Sequence, residues 1–243
     1  MKITHDMHTH STYSHGRHTI KEMVDQGRKI GLKAITISDH GRSHPLFGVR
    51  KRNFVKMRGE IDALNAKYDD IDIYLSVESN LIGANGDIDI GEEELKYCDW
   101  ISVGYHYGYV AVSFSDFFRF AIPNYSAKIM PFIRKRVMAM NTRSYVKMMD
   151  RYDIKLITHP GDKLPIDIDA VAKAAAEHGV LLEINPRHDH LNVAEIKMAM
   201  KYNGNFAINS DAHCIEAVGD MKKVPEIVTA AGLPLERIVN ITD

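Results

Sequence analysis

Short apolar runs recur along the chain, and after most of them the apolar positions switch to helical spacing. The runs cover residues 3–7, 33–38, 71–77, 100–103, 154–158, 180–184 and 206–209. Helical spacing covers residues 19–30, 54–68, 167–178, 193–202 and 225–231. Thr19 and Glu22 have the form of a capping box, and Gly31 stands where that helix should stop. Residues 80–90 read as a turn or hairpin around Asn85-Gly86. Runs of this kind, joined by helices, predict a parallel sheet with helical crossovers.

The residues that close the runs choose between an open sheet and a barrel. His8 and His10 form an HxH in MHTHS, and His15 follows. His40 closes ITISDH, Glu78 sits in YLSVES, His106 closes ISVGYH and His159 closes LITHP. Asp211 and His213 form a DxH after FAINS. An open sheet concentrates its ligand site at one switch point. A barrel gathers all its strand ends around one mouth. The expected fold is therefore α/β, a distorted TIM-like (β/α)7 barrel, with one domain over residues 1–243 and the site at the C-terminal strand ends.

One segment breaks the rhythm. Residues 107–145 are too long for an ordinary βα loop. From Phe117 to Met149 there is no acidic residue, while Arg119, Lys128, Arg134, Lys135, Arg136, Arg143 and Lys147 all fall there. Phe117, Phe118, Phe120, Tyr125 and Phe132 are interleaved with them. Following the His106 strand end, this basic segment is expected to overhang the mouth as a lid.

Composition narrows the partners. The chain has 243 residues, 45% of them hydrophobic, and a formal net charge of -1. That charge argues against a globally basic nucleic-acid-binding surface while leaving room for a local basic patch, and nucleic acid is expected only as a short substrate. Cys98 and Cys214 are too few for a disulfide framework, and the reading is a reducing cytoplasm. No leader and no membrane span are expected. The oligomeric state is left open.

Seven histidines with Glu78 and Asp211 make nine candidate metal ligands. With Glu78 bridging, they supply about ten bonds, enough for two to three divalent ions that keep open positions. Zinc comes first, with manganese or iron as alternatives. Coordination to such an ion lowers the pKa of a water to about 7, which suits hydrolysis of a phosphoester. Arg187, in INPRHDH, is the first candidate for gripping phosphate oxygens, ahead of Arg17 and Arg42, which read as surface charges. His188 and His190 are candidates for substrate contact or proton transfer. Asp39 is considered as an orienting carboxylate for His40, although strand alternation points it away. His5, His18, His44 and His178 read as surface or loop residues, and Trp100 as core. An amidohydrolase reading would need a bridging carboxylated lysine, but no lysine ends a strand.

Together these motifs resemble the polymerase and histidinol phosphatase (PHP) family over essentially the whole chain. The resemblance implies small stand-alone phosphatases with three zinc ions. It assigns His8, His10, Glu78 and Asp211 to one ion, Glu78, His106 and His159 to a second, and His15, His40 and His213 to a third. The implied activity is hydrolysis of a small anionic phosphomonoester, with a histidinol-phosphate-like compound as one candidate. The alternative is a phosphodiesterase or nucleotidase acting on nucleotides or short oligonucleotides. Catalysis is assigned to Glu78, Asp211, His213 and Arg187.

Overall fold

The computed structural model describes residues 1–111 and 113–242. Seven parallel strands lie side by side in chain order: His5–Thr9, Ala34–Ile37, Asp72–Asn80, Trp100–Gly104, Ile154–Ile157, Leu181–Ile184 and Phe206–Ile208. The expected seven-stranded α/β barrel is what the chain forms, nearly closed rather than fully hydrogen-bonded around its circumference.

Between the last strand and the first, side chains replace much of the ladder. The pairing there is a single parallel bridge, Thr9 with Ala212. The buried Asp6 carboxylate accepts from the Ser210 N–H at 3.1 Å, the Ser210 hydroxyl at 2.5 Å and the Gly219 N–H at 2.9 Å. Asn209 Oδ1 accepts the Met7 N–H at 2.9 Å. Backbone groups that an incomplete sheet edge leaves open are thereby paired.

Two apolar clusters follow from this closure. The large one fills the layer between sheet and helices. The small one joins Met7, Leu156, Leu181 and Ala207, with Trp100 against it. Met7 and Leu156 belong to strands that are not neighbours in the sheet, so they meet only across the barrel interior. This is the barrel floor. Trp100 is only half-buried there, beside Tyr74 and His5. His5, expected at the surface, is in fact a floor residue, mostly buried and bonded to Thr36 Oγ1 at 2.7 Å.

Helix signals at the level of single residues held well. Thr19 caps Ile20–Lys29 with the full capping box, and Asp167 caps Ile168–His178, which ends at left-handed Gly179. The first strand starts and ends two residues later than its apolar run, because its inward polar residues continue the pairing. The expected helix at 193–202 stops at Ala199. A short helix, Glu92–Leu95, had no apolar periodicity to announce it. The Asn85-Gly86 turn carries only one antiparallel bridge, Leu81 with Ile88. Its tip docks on the long helix, where a Cβ on Gly86 would meet Met148 N at 2.5 Å. The final residues Ile241–Thr242 pair antiparallel with Lys2–Ile3.

The basic segment is helical rather than a loop. It runs through Phe114–Asp116, a π-helical turn Phe117–Ala121, Ile122–Ser126 and the long helix Pro131–Arg151. Apolar side chains at Phe114, Phe118, Ile129 and Phe132 stay exposed, which blurs the spacing from which a helix is read. Pro131 at the first helical turn was the readable start signal. Among the described residues no helix is long and apolar enough to cross a membrane.

Candidate metal centre

All nine candidate ligands converge at the C-terminal ends of the strands. Glu78 is the hub. Its Oε2 lies 3.4 Å from His8 Nε2, 3.5 Å from His10 Nε2 and 3.1 Å from His40 Nδ1. Its Oε1 lies 2.8 Å from His159 Nε2 and 3.6 Å from His106 Nε2, and accepts from Thr158 Oγ1 at 2.8 Å. Asp211 Oδ1 stands 3.1 Å from His10 Nε2 and 3.5 Å from His8 Nε2. His213 stacks on His10 with ring centres 4.3 Å apart, and His15 stacks on His40 at 4.8 Å.

The groupings differ in detail from those the resemblance implied. Donor atoms of His8, His10 and Asp211 come together as one set. His40 joins Glu78 and His106 in a second, and His10 and His213 in a third. His159 comes together with His188 and Asp211. His40 therefore stands between two sets. His15 belongs to none, although its ring is 4.3 Å from that of His213.

Charge distribution favours cations here. Burial alone raises Glu78 and Asp211, yet the surrounding imidazoles hold both carboxyls well below their usual range. Burial holds His10 and His106 well below the ordinary imidazole value and takes His15 down to about 4. At His10, His15 and His106 this gives neutral imidazoles beside ionised carboxylates, the protonation states that divalent ions need, while His8, lifted by its carboxylates, would give up its proton to an ion. Among the described residues several buried polar atoms lack a hydrogen-bond partner, including His10 Nδ1, His15 Nδ1, His106 Nδ1 and Glu78 Oε2. Buried polar atoms are rarely left unpaired in a folded protein, so these atoms fit coordination to ions. The donor set fits divalent metal ions.

A supporting shell holds the donors in place. Glu183, fully buried in the strand Leu181–Ile184, accepts from His8 Nδ1 at 2.8 Å. It also accepts the His159 N–H at 2.8 Å and the Asn209 side-chain amide at 2.9 Å. The nearby Glu183, Glu78 and Asp211 charges lift the His8 imidazole well above its usual range, against the effect of burial. Sequence reading passed over Glu183. Its signal was a lone acid inside the apolar run VLLEIN, where a carboxylate needs a partner. Asp39 does not orient His40. It points the other way and holds the loop after the first strand, accepting from the Ser11 N–H at 2.8 Å, the Ser11 hydroxyl at 2.5 Å and the Ser14 hydroxyl.

Backbone strain gathers at the same mouth. His159 and Asp211 adopt positive φ of 29° and 49°. Non-glycine residues reach that region only when their surroundings over-determine it. The Asp211 carbonyl is pinned by Arg187 Nη1 at 2.6 Å and by His213 Nδ1 at 2.8 Å. Arg187 is otherwise exposed. Arg42 is less free than a plain surface charge, since it meets the buried Glu94 at 3.0 Å, whereas Arg17 is exposed. His188 lies 3.3 Å from both Asp162 and Asp211, and these carboxylates outweigh burial and lift it to about 9. His44, read as a surface residue, lines the mouth cavity with His40, Glu78 and His106.

A parallel βα barrel with imidazoles and carboxylates ringing its mouth is an arrangement suited to hydrolases. The PHP domain profile matches residues 6–187. The chain belongs to the PHP domain family and is a phosphatase. It is 28% identical to a probable phosphatase of Shewanella piezotolerans, over 99% of this chain and 90% of that one. It is 27% identical to the probable phosphatase YcdX of Shigella flexneri, over 98% of this chain and 89% of the relative. Its fold is similar to the histidinol phosphate phosphatase HisK of Lactococcus lactis, solved with zinc, L-histidinol and phosphate. The TM-score there is 0.61 at 14% identity, covering 96% of this chain and 95% of that one.

Proposed function

We propose that this chain is a metal-dependent phosphomonoesterase that releases phosphate from a small anionic substrate. The observation that carries the reading is Glu78, whose two oxygens face different sets of imidazoles. A carboxylate so flanked suits a bridge between two ions. In this reading His8, His10, Glu78 and Asp211 hold one ion, Glu78, His106 and His159 a second, and His15, His40 and His213 a third. The count is two to three ions, with zinc first and manganese or iron as alternatives. When bound, such ions activate a water nucleophile and neutralise phosphoryl oxygens.

The remaining roles fall to this chain's own groups. Arg187 spends one N–H on the Asp211 carbonyl, and its other donors are assigned to phosphate oxygens. His188, at the rim between Asp162 and Asp211, is assigned the proton of the leaving oxygen. Glu183 fixes the His8 ring and the backbone at His159. It is the carboxylate behind a histidine ligand that such centres use to set ring orientation.

The test is phosphate release by freshly purified protein from histidinol phosphate, nucleotides and phosphotyrosine, with metal content measured on the same sample and a chelated control. One metal-dependent substrate with kcat/KM far above the others is expected. Absence of release from every phosphomonoester by metal-loaded protein overturns the reading. Nucleotides and short oligonucleotides form a second substrate class, favoured by the cations Lys128, Arg134 and Lys163 beside the mouth. For that class KM must rise steeply with salt.

A further inference from the structure

Beside the mouth cavity of about 220 Å³ lies a second one of about 460 Å³. Tyr107 and Lys163 stand in the walls of both, so the two are contiguous. The second cavity lies under the basic helical segment, which contributes Lys128 and Arg134, while Lys163 comes from the loop after the fifth barrel strand. Part of its wall is apolar, from Ala127, Met138 and Ile166.

Its charge is lopsided. Lys128 Nζ sits 3.3 Å from the centre of the Tyr107 ring, an aromatic rather than a carboxylate partner. Among the described residues neither Lys128 nor Arg134 has an ion-pair partner, and Lys163 pairs only with Asp162 at 3.4 Å. The one carboxylate lining the cavity, Glu195, is already engaged. It accepts the Asn192 N–H at 2.9 Å and lies 3.5 Å from His190 Nδ1. Three cations thus line a cavity whose single carboxylate already faces the Asn192 N–H and His190, and two of them, Lys128 and Arg134, have no carboxylate partner among the described residues. Lys163 also holds a strained backbone, with φ of 59°, where the two cavities join. Strain of that kind persists where a site fixes a side chain's position.

We infer that the second cavity is a subsite for an anionic group at the far end of the substrate. While the phosphoryl group sits at the mouth, a distal phosphate or carboxylate sits among Lys128, Arg134 and Lys163. The inference rests on the phosphatase reading above and names its substrate class, a phosphomonoester with a second negative charge. A compound whose far end is an ammonium, as in histidinol phosphate, meets like charge there.

The test uses metal-loaded full-length protein and alkyl phosphates of three to eight carbons, ending in hydroxyl, ammonium, carboxylate or phosphate. At the best chain length, kcat/KM for an anionic end is expected to exceed that for hydroxyl by about tenfold, the scale of one hydrogen bond to a charged group. The gain should lie mainly in KM, with the ammonium series poorest. The carboxylate and phosphate series tell which anion the subsite prefers. The double change Lys128→Ala and Arg134→Ala should erase the ratio between end groups. Lys135→Ala, on the same helix but outside both cavities, should keep it. Equal kcat/KM for all end groups at every length, with turnover intact, overturns the inference and leaves the phosphatase standing. A ratio that survives the double change overturns it too. No turnover of any member overturns the phosphatase reading and the inference with it.

Discussion

One strand carries two histidines three positions apart that live in opposite worlds. His5, at the floor, bonds to the Thr36 hydroxyl and packs beside Tyr74 and Trp100, with burial taking it down to about 4. His8, at the mouth, faces Glu183, Glu78 and Asp211 and is held well above its ordinary value despite full burial. Residue type and strand are the same; His8 is fully buried and His5 mostly so. The carboxylates make the difference. A buried histidine becomes a candidate ligand where the barrel also buries carboxylates beside it.

Removing the hub carboxylate should break that contrast most severely. Glu78→Gln takes a negative charge away from five imidazoles, and kcat is expected to fall by about three orders of magnitude or more, with loss of bound metal. Wild-type turnover and metal content in that variant would refute the bridging role. Between the two histidines, Asp6 closes the barrel seam with three hydrogen bonds. Asp6→Ala leaves those donors unpaired and should cost about 3 kcal/mol in urea unfolding. A loss within 0.5 kcal/mol, the usual range for surface changes, would show that the seam does not depend on it.

Glu183→Gln keeps the shape but removes the charge behind His8. Metal affinity or kcat should drop by about 10- to 100-fold, and because the new amide sets N–H against the donors Glu183 accepts, apo stability should fall by about 1–3 kcal/mol as well. Unchanged metal affinity and kcat beside a loss of stability would make Glu183 a packing residue only. At the floor, His5 binds its proton more weakly folded than unfolded. Its contribution to stability is full above pH 6.5 and is lost as pH falls toward 4. Against wild type, His5→Gln should therefore recover on the order of 2 kcal/mol at pH 4 relative to pH 8. Parallel stability curves for the two proteins would remove His5 from the acid response.

Much of this contrast was legible before the fold was known. Strand-end histidines announced themselves because each closes an apolar run, and barrel geometry alone brings such ends together. Thr19 and Asp167 declared their helices through capping chemistry that is local. Residues whose meaning is purely tertiary stayed hidden. Asp6 and Glu183 look like isolated acids until the seam and the mouth supply partners from distant strands. His5 reads like any terminal histidine until Trp100 and Tyr74 close over it. The long helix Pro131–Arg151 lost its periodic signature to exposed aromatics and cations, so its role in forming a second cavity had no imprint in the spacing.

The most direct measurement compares wild type and Glu78→Gln after chelation and reloading, reading metal content and phosphate release on the same samples. Wild type should take up two to three ions per chain and regain turnover in step with them. Glu78→Gln should retain fewer ions and release little phosphate at any metal concentration. Full metal uptake and wild-type release by Glu78→Gln, or undiminished release by chelated wild type, would contradict the account.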